Sequence, residues 1–79
     1  MAVVTAFEPM ELGQPKLHRT RVVCHWSVLR DNNAGLLIQL DTRGSTEREK
    51  PEKLSQTLQL TSATAAELVA ILRREFGLP

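Results

Sequence analysis

The 79-residue sequence predicts an α+β fold: a three- to four-stranded antiparallel meander with one C-terminal helix packed on one face, in the order β-β-β-α. Three observations lead there. Apolar and polar residues alternate at period two in three separate runs. A turn signal, Asp31-Asn32-Asn33-Ala34-Gly35, joins the first two runs as a hairpin. The final segment switches to helical period between a Thr/Ser start and a Gly77 stop.

Residues 1–17 read as an N-terminal arm. Val3, Val4 and Phe7 are a candidate edge strand for this sheet or a partner's, and Pro9, Gly13 and Pro15 then interrupt regular structure. Residues 18–79 read as a single meander-plus-helix domain. Its first main strand is expected over 19–30. Val22, Cys24, Trp26 and Val28 share one face, and Arg21, Val23, His25, Ser27 and Leu29 share the other. The first set is the more apolar, so it is expected to face inward, with Trp26 at the centre of the core. After the turn, Leu36, Ile38 and Leu40 are expected inward, and Leu37, Gln39 and Asp41 outward. The mixed-charge stretch 43–53 reads as a solvated loop. Residues 55–60 alternate again and place Leu58 and Leu60 inward, with Gln56 at the same parity.

The helix is the clearest element. Thr61 or Ser62 can cap its start, and Thr64-Ala65-Ala66-Glu67 also matches a capping box. Ala65, Leu68, Val69, Leu72 and Phe76 form a stripe of core-facing width, with Ile71 beside it. Arg73 and Arg74 sit where the helix dipole favours cations, Gly77 suits the position after the last turn, and Pro79 cannot continue the helix.

Composition narrows the function classes. The chain has a mass of 8.8 kDa, 42% hydrophobic residues, 24% charged residues and a formal charge of +1. It is too short for two domains and too apolar for wholesale disorder. The charge lacks the basic excess of a dedicated nucleic-acid binder. One cysteine cannot form an internal disulfide and fits a reducing cytoplasm. No run reaches the ~20 apolar residues of a membrane span, so no membrane role is expected.

No constellation for catalysis stands out. Cys24 and His25 are adjacent on a strand, so their side chains point to opposite faces. His18, Cys24 and His25 match no structural zinc spacing, and no metal site is expected. Arg43-Gly44-Ser45-Thr46 lacks the lysine of a phosphate loop. The expectation is a non-enzymatic protein with no cofactor.

Two binding classes remain. Single cores below ~80 residues rarely supply more than ~3–5 kcal/mol, so a partner that completes the core is expected. Val23, Leu29 and Leu37 on the outward sheet face, with Ile71 on the helix, are the candidate protein interface. This points to a homodimeric regulator, adaptor or inhibitor of the kind that phages and mobile elements encode. In the alternative class, Lys16, His18, Arg19 and Arg21 cluster at the start of the first main strand. Arg30 lies at its end, and Lys50 and Lys53 lie in the long loop. These cations are candidate phosphate contacts for a single-stranded nucleic acid.

The segment from Arg21 to Phe76 also resembles, in part, the positive cofactor four family of single-stranded-DNA-binding coactivators. The similarity rests on Ser27-Val28-Leu29-Arg30-Asp31 before a turn ending in Gly35, then Leu37-Ile38-Gln39-Leu40, Glu49-Lys50-Pro51, and Leu58-Gln59-Leu60 running into a helix with Leu68. The chain departs from the family at Asp41-Thr42-Arg43, where members carry aromatics, and at Ala65, where they often carry tryptophan. The resemblance implies a dimer of curved sheets backed by helices, with Arg21, Arg30, Lys50 and Lys53 as phosphate contacts.

Overall fold

A computed structural model describes residues 1–43 and 54–79. It contains β1 (Ala2–Val4), β2 (Cys24–Asp31), β3 (Gly35–Arg43), β4 (Leu54–Leu60) and α1 (Ser62–Phe76), with the strands in one sheet of order β1-β4-β3-β2. The fold class is the expected one: an α+β chain with a four-stranded, mostly antiparallel sheet and a C-terminal helix. The stretch read as a solvated loop lies, from residue 44 to 53, outside the described residues.

The hairpin forms where the turn residues require it. β2 and β3 pair antiparallel from Cys24↔Thr42 to Asp31↔Gly35. The Asp31 carboxylate accepts from the backbone N–H groups of Asn33 and Ala34, both at 2.8 Å, which holds the turn closed. Gly35 takes φ 79°, a left-handed conformation that glycine adopts without steric cost.

Two boundaries differ from expectation. β2 begins at Cys24 rather than near Arg19, because its pairing with β3 reaches no further than Thr42. Arg19, Arg21 and Val23 therefore lie outside the strand. The arm does add a strand to the chain's own sheet, but β1 pairs parallel with β4, Ala2↔Leu58 to Val4↔Leu60. The meander proper is β2-β3-β4, and the intervening segment carries the chain from one edge of the sheet to the other.

Helix α1 is capped at both ends. Thr61 Oγ1 accepts from the Thr64 N–H at 3.2 Å, and Thr64 Oγ1 accepts from the Thr61 N–H at 2.9 Å. This reciprocal box uses a threonine three residues on, where glutamate is the commoner partner. At the far end Gly77 adopts φ 65°, and the Gly77 and Leu78 N–H groups both donate to the Arg73 carbonyl.

The core is small. Among the described residues, Leu37 and Leu60 are the buried hydrophobic side chains, joined by the buried threonines Thr57 and Thr64. The helix stripe is rotated from expectation: Ala65, Leu68 and Ile71 are half-buried beside Thr64, while Val69, Leu72 and Phe76 are exposed. The accessible surface is 7187 Å². A compact chain of this mass exposes roughly 4,800 Å². The radius of gyration is 14.8 Å, against roughly 11.6 Å for a compact chain of this length.

Candidate interaction surface

Register decides which side chains share a face, because directly paired residues in a sheet project to the same side. One face carries two apolar rows. Trp26, Leu40, Leu58 and Ala2 form the first, and Val28, Ile38, Leu60 and Val4 form the second. Leu36 and Cys24 continue this face along their strands.

The face is covered unevenly. Leu60 is 7% exposed, near the start of the helix, and Ile38 and Leu40 are half-buried. Exposure then rises towards the β2 edge, where Val28 is 54% and Trp26 is 70% exposed. Leu36 and Leu58 are also exposed. An open apolar area of this kind is a candidate interaction surface.

The opposite face carries Leu29 and Leu37 beside a hydrogen-bonded polar network. Gln59 Nε2 donates to Gln39 Oε1 at 2.8 Å. Gln39 Nε2 in turn donates to Asp41 Oδ2 at 3.0 Å, and Thr57 Oγ1 donates to Asp41 Oδ1 at 2.6 Å. The Thr57 hydroxyl and the Gln39 amide hold the Asp41 carboxyl below the usual carboxylate range. His25 pairs across from Asp41, and Ser27 across from Gln39.

The sidedness matches expectation at Leu60, Ile38 and Leu40 and departs from it at Trp26, Val28, Leu36, Leu58 and Leu37. The face expected to form the core is open on its β2 side, around Trp26. Leu37, expected outward in an interface patch, is 4% exposed, and its cross-strand neighbour Leu29 is half-buried. Of the other candidate interface residues, Val23 is exposed just before β2, and Ile71 is half-buried on the helix. The open patch was readable only as an apolar set, since alternation does not say which side is covered.

The candidate phosphate contacts are dispersed. Lys16 and Arg19 line one crevice of the arm together with His18. Arg21 and Arg30 are exposed, Arg30 on the same side of β2 as Trp26 and Val28. Lys50 and Lys53 lie outside the described residues. A second crevice separates Phe7, Pro9 and Met10 of the arm from Ala70 and Ile71 of the helix.

Among the described residues no three His, Cys, Asp or Glu side chains gather as a metal site requires, and no helix is long and apolar enough to cross a membrane. The Cys24 thiol is free and exposed. Comparison with family models, with curated proteins and with solved structures finds no match for this chain.

Proposed function

We propose that this chain is a small non-enzymatic protein–protein interaction module, a regulator, adaptor or inhibitor, that works as a homodimer. The observation that carries the reading is the open apolar face running from Leu58 to Trp26. A second copy is the proposed occupant, because an isologous dimer sets the same apolar patch of one chain against that of the other. Trp26 then becomes a core residue of the dimer. A cytoplasmic setting accompanies the reading, because the exposed Cys24 thiol stays reduced there. Sedimentation equilibrium tests it: a dimer at micromolar concentration supports the proposal, and a monomer overturns it.

A second reading is favoured by one observation. An exposed tryptophan on an open sheet face can stack a nucleic-acid base, and Arg30 lies on the same side of β2. The resemblance to the positive cofactor four family points the same way. The aliphatic character of the rest of the face, and a net charge of +1, favour protein over nucleic acid. Fluorescence anisotropy with a labelled single strand at low salt separates the two. Binding that falls steeply with salt supports the second reading, and no binding removes it.

A further inference from the structure

We infer that the crevice between the arm and α1 receives a basic peptide segment of a partner protein, with an apolar residue seated between the walls and a lysine or arginine held between Glu8 and Glu67. The inference uses no residue of the open sheet face and does not depend on the homodimer reading. It supplies the partner surface that a regulator or adaptor needs.

The crevice has a volume of about 670 Å³, inside the roughly 300–1,000 Å³ of ligand clefts. One wall is α1, where Glu67, Ala70, Ile71 and Arg74 recur at three- and four-residue spacing and so share one face of the helix. The other wall is the arm, where Phe7 and Met10 flank Glu8 and Pro9. Phe7 and Ile71 are half-buried and Met10 is 80% exposed, so apolar surface lines the gap without closing it.

Charge selects the occupant. Glu8 stands on the arm wall, Glu67 and Glu75 stand on the helix wall, and Arg74 is the one cation of the lining. Arg74 Nε lies 3.9 Å from Glu75 Oε1, so these two charges offset each other. Glu8 and Glu67 have no hydrogen bond or ion pair among the described residues. The crevice is therefore negative in a chain whose formal charge is +1. Two uncompensated carboxylates on opposite walls attract a cation into the gap. A membrane surface does not fit, because its headgroups are themselves anionic. The backbone favours a peptide over a small organic cation. Among the described residues, no backbone hydrogen bond engages Phe7–Met10, which leaves main-chain groups along the arm wall for an extended segment to pair with.

Fluorescence anisotropy on the full chain at low salt tests this with two labelled peptides, Lys-Leu-Lys-Leu-Lys and Glu-Leu-Glu-Leu-Glu. The basic peptide is expected to bind and the acidic one is not. Glu8→Gln combined with Glu67→Gln should weaken binding by about tenfold, the scale of two exposed charge contacts. Met10→Ser probes the apolar wall and should weaken binding as well. All three positions are exposed, so both variants are expected to keep the parent circular dichroism. Selective binding that both variants weaken supports the inference. No binding of the basic peptide up to about 1 mM, equal binding of the two peptides, or an affinity unchanged by the variants overturns it. Sedimentation run beside the titration separates this surface from the homodimer. A single chain that binds the basic peptide selectively supports the inference while overturning the homodimer, and a dimer that persists with peptide bound supports both. A dimer that the peptide splits into single chains places the crevice inside the contact between copies and overturns the separate partner.

Discussion

Trp26 stands directly across the β2–β3 pair from Leu40, yet Leu40 is half-buried and Trp26 is 70% exposed. Two residues in one row of one face thus differ because one lies inside the sheet and the other on its edge. A tryptophan buries 150–250 Å² when covered, so an open one at an edge leaves a large share of apolar area uncovered. Replacing it should therefore act on association more than on the fold of the isolated chain. Trp26→Ala is expected to weaken self-association by about 30-fold or more, the scale of an aromatic anchor worth ~2 kcal/mol or above. Concentration-dependent sedimentation measures this, and an unchanged dissociation constant would remove Trp26 from the interface.

Leu37 provides the contrast. It is one of the two buried hydrophobic side chains among the described residues, at 4% exposure. Leu37→Ala is expected to cost about 2–4 kcal/mol in urea unfolding, from lost transfer energy and the cavity left behind. Val23→Ala, at an exposed position outside the strands, is expected to stay within about 0.5 kcal/mol. Equal effects at the two sites would contradict the observed burial of Leu37 and exposure of Val23.

The helix start is a separate, local contribution. Thr61 is the N-cap and half of a reciprocal box with Thr64. Thr61→Ala removes the acceptor for the Thr64 N–H and is expected to cost about 1 kcal/mol. Thr61→Ser keeps the oxygen and should recover most of the loss. Urea unfolding followed by far-ultraviolet circular dichroism reads both variants.

Acid should destabilise the sheet in a defined direction. Backbone N–H groups of Ala34 and Asn33 hold the Asp31 carboxyl below its usual 3.8, and the Thr57 hydroxyl and Gln39 amide do the same for Asp41. A carboxyl whose folded pKa is depressed contributes stability above its unfolded value. That contribution fades as pH falls past 3.8 and is gone below the folded value. The urea midpoint is expected to hold at about pH 5 and decline below about pH 4. Asp41→Asn should give a shallower acid decline than the parent chain. An identical decline would show that Asp41 takes no part in it.

Much of the fold is legible in the sequence, for physical reasons that can be named. Alternation in Cys24–Asp31 and Gly35–Arg43 gives the two strands, and Asp31 to Gly35 gives the turn between them. Thr61, Gly77 and the helical period give α1. The sorting of Trp26, Val28, Ile38, Leu40, Leu58 and Leu60 onto one face follows from period two and is what the register shows. Alternation carries no information about which face is covered, so Trp26 and Leu37 exchange their expected roles. The parallel pairing of β1 depends on a long excursion of the arm that no local signal encodes. The helix stripe shifts towards Thr64, Leu68 and Ile71 because capping fixes Thr64 at the strand–helix junction, and Val69, Leu72 and Phe76 are left outside.

The central claim is that a second copy of this chain covers the open apolar face around Trp26. Sedimentation equilibrium of the unmodified protein at about 10 µM tests it most directly, since an obligate dimer is fully associated there. The account predicts a mass of twice 8.8 kDa, shifting towards the single-chain mass on Trp26→Ala. A single-chain mass of 8.8 kDa for the unmodified protein, persisting to about 100 µM, would contradict it.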